Sequence, residues 1–170
     1  NIGFSLSELI EQYDSGISTE LIENSKDRSE FLASNLNNVT VTNGDGLDNQ
    51  ILDEVNISEA DYFVAVTEDD EVNILASLLA KRAGADQCIT LINNSSYTSL
   101  LSNIGIDITI DPKLITISKI LEKVRGGGIM SDYSIGDGFG EVIEAVIKKQ
   151  TALCNKNLKD LSLPKGIRIA

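Results

Sequence analysis

Histidine is absent from this 170-residue chain. That absence removes Ser-His-Asp and Cys-His catalysis within the chain, together with every His-ligated metal site. Long apolar runs are missing as well. Ile74 to Ala80 is among the longest, far short of the roughly 20 residues a helix needs to span a bilayer. Basic residues are scarce: 14 Lys and Arg face 26 Asp and Glu, a formal net charge of −12. Such a field repels duplex nucleic acid and anionic lipid, so neither is expected as a partner. A basic partner surface suits it, and so does a plain role in solubility. Only two cysteines occur, Cys88 and Cys154, too far apart for a metal or redox motif. Cys88 lies in an apolar run and reads as a small core residue in a reducing, cytosolic setting. The Asn-x-Ser/Thr matches at Asn38, Asn56, Asn93 and Asn94 carry little weight there.

What remains is a chain with 42% hydrophobic residues and mean hydropathy near zero, enough for a packed core. Short β-branched runs alternate with helical periodicity. Strands are predicted at Ile17–Glu23, Val39–Thr42, Asp61–Thr67, Cys88–Ile92 and Ile106–Ile110. Helices are predicted at Ser5–Tyr13, Lys26–Leu36, Asp48–Val55, Glu71–Ala83 and Pro112–Arg125, the last opened by an Asp111-Pro112 cap. Leu6, Leu9 and Ile10 fall on one face of the first helix. On the fourth, Val72, Leu75, Ala76 and Leu79 form one stripe and Ile74 and Leu78 a second. The second implies either contact with another subunit or one wide buried face.

This alternation predicts an α/β, Rossmann-like, doubly wound and mainly parallel sheet. The run Gly126-Gly127-Gly128 is taken to end it, giving a first domain over 1–127 and a partial α+β subdomain over 128–170. In the latter, Ser131 to Lys148 reads as a hairpin around Gly136-Asp137-Gly138, Asn155 to Leu161 as a short helix, and Leu163 to Gly166 as a turn. Because the chain opens at a helix, a preceding central strand is expected in the natural protein.

Candidate ligand positions follow from this frame. Gly3, after Asn1 and Ile2, matches the last glycine of a phosphate-binding G-x-G-x-x-G turn. Glu23 ends the next strand about 20 residues on, where a dinucleotide fold puts the carboxylate that accepts from the adenosine ribose. An ordinary strand-end glutamate would look the same. Such a carboxylate favours NAD(H) or an adenine nucleotide over a 2′-phosphorylated one. Arg28 suits either a ligand phosphate or a solvated helix face. Asp45 and Gly46 offer an acceptor for an adenine amino group and a close backbone approach, or simply a strand-to-helix turn. Thr67 offers a hydroxyl and Glu68 a backbone N–H at a strand's carboxyl end. The acidic run Glu68 to Glu71 is read as helix capping and dipole complementation, with no metal.

Taken jointly, Gly44-Asp45-Gly46 with Leu52-Asp53-Glu54, Ala60-Asp61-Tyr62-Phe63-Val64-Ala65-Val66-Thr67 and Asp70-Glu71-Val72-Asn73 resemble the TrkA/KTN family of RCK domains. Leu78 to Ala85, Ile108 to Pro112 and Glu141 to Ala145 continue the resemblance over nearly the whole chain. It looks closest to the second of that family's two tandem halves. The resemblance implies a cytosolic, nucleotide-binding regulatory subunit at the inner face of the plasma membrane. It implies NAD or NADH, with ATP/ADP in relatives, and a potassium-transporting membrane protein as partner. A homodimer or higher homo-oligomer is implied too. By matching position it puts Asn1 and Ile2 in the phosphate loop, Glu23 on the ribose, and Thr67 with Glu68 after the strand. Asn93 stands where some relatives carry an arginine. The competing readings are an NAD-dependent oxidoreductase and a structural module with a non-functional site. Against the enzyme, no Tyr is followed four residues later by Lys, so neither that pair nor a histidine is present to move protons.

Overall fold

The computed structural model describes residues 2–13, 16–101, 103–125, 129–135, 140–145, 154 and 157. They divide into two compact units, Asn1–Pro112 and Lys113–Ala170. The division falls at the first turn of a helix and not at the glycine run. Glycines mark local backbone freedom, whereas a compact unit ends where packing ends.

The first unit runs α1 (Ile2–Tyr13), β1 (Thr19–Glu23), α2 (Lys26–Asn35), β2 (Val39–Asn43), α3 (Asn49–Glu54), β3 (Tyr62–Ala65), α4 (Asp70–Ala83), β4 (Gln87–Leu91), α5 (Thr98–Leu101) and β5 (Ile108–Ile110). Each predicted element forms, with ends moved by a few residues. The 3₁₀ turns at Ile57–Glu59 and Ser95–Tyr97, and the one-turn α5, are additions. Elements so short carry no period to read.

All pairings here are parallel. β1 pairs β2 from Thr19↔Val39 to Glu23↔Asn43. β4 lies between β3 and β5, with Phe63↔Cys88 and Thr90↔Thr109 in register. No described strand hydrogen-bonds β1 to β3, so the ladder comes as two parallel sheets. Helices cover both faces, as β1 shows: neighbouring strand residues point to opposite sides. Leu21 packs with Phe4, Leu32, Leu36, Val39 and Val41 on the α1/α2 side. Ile22 packs with Leu52, Ile57, Ala80, Ala85, Cys88 and Phe63 on the other. That second cluster also ties β1 to β3 and β4 in the absence of a shared ladder.

Local chemistry ends the helices as the sequence dictates. Ser25 caps α2, its hydroxyl accepting from Arg28 N at 3.4 Å. Asp48 caps α3 through Gln50 N and Asp69 caps α4 through Val72 N, both at 2.9 Å. Gly84 closes α4 at φ +115° and returns its N–H to Ala80 and Lys81.

The structure decides how two helix faces are used. Leu6 and Leu9 of α1 are exposed with Ile2, and only Ile10 of the expected stripe is even half-buried. Phe4 and the buried Ser7 point inward instead, Ser7 Oγ donating to Gly3 O at 3.0 Å. At 100° per residue, Ile2, Leu6 and Leu9 fall on the far side of the helix from these two. On α4, Ile74 and Leu78 pack within the chain, against Ile92, Leu101, Ile106 and Tyr97, so that stripe needs no second subunit. The most buried face of α4 is a third one, Asp70, Asn73, Ala76, Ser77 and Ala80.

The second unit holds most of α6 (Pro112–Arg125) and an antiparallel pair, β6 (Ile129–Ile135) and β7 (Gly140–Ala145), with Tyr133↔Val142 in register. The expected hairpin strands are therefore present. The expected turns at 136–138 and 163–166 lie outside the described residues, as does the helix at 155–161 except for Asn157. Among the described residues, no helix is long and apolar enough to cross a membrane.

Candidate functional site

The carboxyl ends of the parallel strands carry almost every candidate residue, because a parallel sheet sends all its strand-to-helix turns to one edge. Asn1 lies outside the described residues. Ile2 and Gly3 form the first turn of α1. Glu23 ends β1, and Arg28 sits one turn into α2. Asp45 and Gly46 follow β2, Thr67 and Glu68 follow β3, and Asn93 follows β4.

Glu23 and Arg28 are brought together. The Glu23 carboxylate accepts from Ser25 N through Oε1 at 3.0 Å, and its Oε2 lies 3.2 Å from Arg28 Nε. That Nε is enclosed by protein yet off the hydrogen-bond axis, so the pair is held by charge more than by a directed bond. The carbonyl of Glu23 accepts from Gly44 N at 3.0 Å, which draws the two loops of the first sheet side by side. A Cβ at Gly44 would stand 2.5 Å from Ile51 Cδ1, so this approach depends on glycine. Gly46 has open space around its Cα.

Asp45 builds its own turn. Its Oδ1 accepts from Leu47 N at 2.9 Å and its carbonyl from Asp48 N. Of the two readings open for this tripeptide, the local geometry is that of a strand-to-helix turn. Thr67 is also turned inward: its N–H and hydroxyl both donate to Asn73 Oδ1, each at 2.8 Å. Asn93 donates from N and Nδ2 to Asp70 Oδ1 at 2.9 and 3.0 Å, and Asn94 N donates to Asp70 Oδ2 at 2.8 Å.

These last contacts expose what the sequence reading missed. Asp70, Asn73, Ser77 and Lys81 fall at helical spacing on α4 and form a polar seam facing β4. Asn73, fully buried, donates to Thr67 O at 3.1 Å and to Leu91 O at 3.0 Å, joining the ends of β3 and β4. Ser77 shares a 2.7 Å hydrogen bond with Thr90, both fully buried. Lys81 donates to Asp86 O and pairs with Asp107 at 2.9 Å, and Asp107 Oδ2 also accepts from Cys88 N at 2.8 Å. The Cys88 N–H, then the Lys81 ammonium, hold the Asp107 carboxyl below its usual range. Burial pushes the Cys88 thiol up. The signal was present in the spacing of these four polar residues, but apolar periodicity does not register it.

Beside the seam opens a cleft of ≈ 530 Å³ lined by Glu68, Asp69, Asp70, Glu71, Asn93, Asn94 and Tyr97. Tyr97 donates its hydroxyl to Glu71 at 2.6 Å, and that carboxylate raises the phenol above its ordinary value. Four carboxylates make this cleft hostile to phosphate. Among the described residues, no group of three or more His, Cys, Asp or Glu is arranged to hold a metal ion. The donor set at Glu23 and Arg28 is different: an acceptor for a ribose diol beside a cation with an enclosed, undirected Nε. That chemistry fits an adenosine with its phosphate.

The chain is 37% identical over 169 residues to a Trk system potassium uptake protein TrkA of Azorhizobium caulinodans. The alignment takes in 99% of this chain but only 37% of the relative's length. In fold, the chain is similar to the TrkA-N domain of the inner membrane protein ybaL from Escherichia coli. The TM-score is 0.65 at 16% identity, over 73% of this chain and 90% of that one. It is similar also to a GsuK channel bound to NAD, with a TM-score of 0.61 at 17% identity, over 79% of this chain and 24% of that one. The family model described as the TrkA-N domain matches residues 1–112, which coincide with the first compact unit, and the chain therefore belongs to the TrkA-N family.

Proposed function

We propose that this chain is the nucleotide-sensing part of a cytosolic regulator of potassium uptake, corresponding to the second half of a TrkA protein. The carrying observation is the 37% identity along 99% of the chain to a protein named for that system. Net charge of −12 supports a basic protein surface as partner, and similarity to a protein named for a potassium uptake system supports a cytoplasmic setting at the inner face of the membrane. The Glu23–Arg28 pair at the end of β1 supports an adenine nucleotide, NAD(H) first and ATP or ADP second. Relatives in fold include GsuK bound to NAD and GsuK bound to ADP.

In this reading Glu23 holds the ribose, the first turn of α1 receives the phosphates, and no covalent step occurs. The chain has no histidine to serve as acid or base. Nucleotide shifts the balance between two arrangements of paired subunits, and only a difference in affinity for the two can do so. Calorimetric titration of the full-length protein with NAD+, NADH, ATP and ADP tests this. Micromolar binding of at least one is expected, and silence from all four removes the nucleotide sensor. One observation favours the competing reading of a module with a non-functional pocket. Thr67 and Asp45 are already engaged within their own turns. Nucleotide retained through purification, seen by mass spectrometry, would decide against it.

A further inference from the structure

Asn43-Gly44 is the one Asn-Gly pair in the sequence. Each half of it has a structural cause. Gly44 is fixed by packing, because a Cβ there would stand 2.5 Å from Ile51 Cδ1 and 2.7 Å from its Cγ1. Asn43 ends β2 and clamps the neighbouring turn. Its Nδ2 donates to Glu23 O at 2.9 Å and to Asn24 O at 3.3 Å, and Gly44 N donates to the same Glu23 carbonyl at 3.0 Å. These contacts hold the turn after β2 to the turn after β1. Asn43 is exposed, so water reaches it.

The same pair is chemically labile. Asparagine is among the thermolabile residues, and a following glycine leaves its nitrogen without a side chain to shield it. In the reaction the Gly44 nitrogen loses its proton and bonds to Asn43 Cγ, while the Asn43 amide nitrogen leaves as ammonia, closing a five-membered imide. Water then opens that ring at either carbonyl, to aspartate or to isoaspartate. In the folded chain the attacking nitrogen and the leaving amide are both hydrogen-bonded, and Asn43 is held in the strand by its pairing with Glu23. Ring closure must swing Asn43 Cγ onto the Gly44 nitrogen, which breaks these contacts, so it belongs to a locally opened state.

We propose that Asn43-Gly44 is a self-modification site gated by this clamp, and that its deamidation irreversibly releases the turn after β2 from the turn after β1. The physical basis is the change of a donor into an acceptor. A carboxylate at position 43 has no proton for Glu23 O and Asn24 O, and it sets a negative charge against both carbonyls. Isoaspartate also lengthens the backbone by one carbon, which breaks the register at Glu23↔Asn43. The gate works once: opening permits the reaction, and the product keeps the turns apart. None of this depends on which ligand the sheet edge takes.

The test follows deamidation of the full-length wild-type protein in mildly alkaline buffer, by peptide mass spectrometry that separates aspartate from isoaspartate. A synthetic peptide spanning 41–47 is the unclamped reference. The folded protein is expected to react about tenfold or more slowly than the peptide, and guanidinium should bring the two rates together. Equal rates in folded protein and peptide would show that the clamp gates nothing. Release of the turn is read by amide hydrogen exchange. Asn43→Asp, which matches the aspartate product, should speed exchange at Gly44 several-fold, and Asn43→Ala, which only removes the donors, should speed it less. Unchanged exchange at Gly44 in Asn43→Asp would overturn the release. Should Asn43→Asp not fold, wild type aged to partial conversion gives the same comparison between modified and unmodified molecules in one sample.

Discussion

Asn73 Oδ1 stands 2.8 Å from both the backbone nitrogen and the hydroxyl oxygen of Thr67, six residues before it. With its amide nitrogen on the carbonyls of Thr67 and Leu91, one side chain fastens the turn after β3 to the end of β4. A buried amide with every group paired is costly to alter, because its partners cannot turn to water. Asn73→Ala should destabilise the first unit by about 3 kcal/mol in chemical denaturation, from lost hydrogen bonds and a small cavity. Asn73→Asp keeps the shape but sets a carboxylate oxygen against two carbonyls. It should be worse at neutral pH and recover as acid protonates it. Equal stability of Asn73→Asp at pH 5 and pH 8 would contradict this geometry.

Ser77 and Thr90 form an isolated buried pair, so their coupling can be measured cleanly. Ser77→Ala or Thr90→Val alone leaves one hydroxyl unpaired and should cost about 1–3 kcal/mol. The double variant removes both and should cost less than the sum by about 1–2 kcal/mol. Strict additivity would mean that the two hydroxyls do not meet.

Asp107 supplies a pH-dependent term of known sign. Its folded carboxyl titrates below the ordinary 3.8, chiefly through the Cys88 N–H and next through Lys81. A depressed carboxyl binds fewer protons folded than unfolded, so its stabilisation is present above the ordinary value and is lost as pH falls through the folded one. Carbon-detected NMR titration should find Asp107 depressed in wild type. In Lys81→Met it should return only part of the way, since the backbone N–H remains. A complete return would assign the shift to Lys81 alone.

Gly84 is held at φ +115°, and a Cβ there would lie 3.1 Å from Ser58 Cβ and 3.2 Å from Ser58 Cα. Both the left-handed backbone and the contact oppose a side chain. Gly84→Ala should lower stability by about 2 kcal/mol, read from the denaturation midpoint. Gly105, at φ +92° with open space around it, isolates the backbone part, and Gly105→Ala should cost less.

The sequence carried the elements well because each has a local cause. Ser25, Asp48 and Asp69 announce helix starts through their own side chains, and Asp61 to Thr67 reads as a covered strand from its composition. It carried the Glu23 position for a similar reason, since the count from Gly3 through one helix to a strand end is a local measure. It did not carry orientation. Leu6 and Leu9 have the spacing of a buried stripe and lie exposed, while Ser7 between them is buried. It did not carry engagement either. Thr67 and Asp45 have the right chemistry at the right edge, and the Thr67 N–H and hydroxyl and one carboxylate oxygen of Asp45 are hydrogen-bonded close by in the chain.

By itself, then, the amino-acid order determined which segments become strand or helix, the parallel sense of their pairing and the exclusion of histidine chemistry. Those depend on periods, caps and composition read over a few residues. Only the tertiary structure decided that α4 buries Asp70, Asn73 and Ser77 against β4, and that Arg28 turns its Nε to the Glu23 carboxylate. Such choices are made between residues distant in the chain or between rotamers. Their energies depend on which partner arrives, and no local pattern records that.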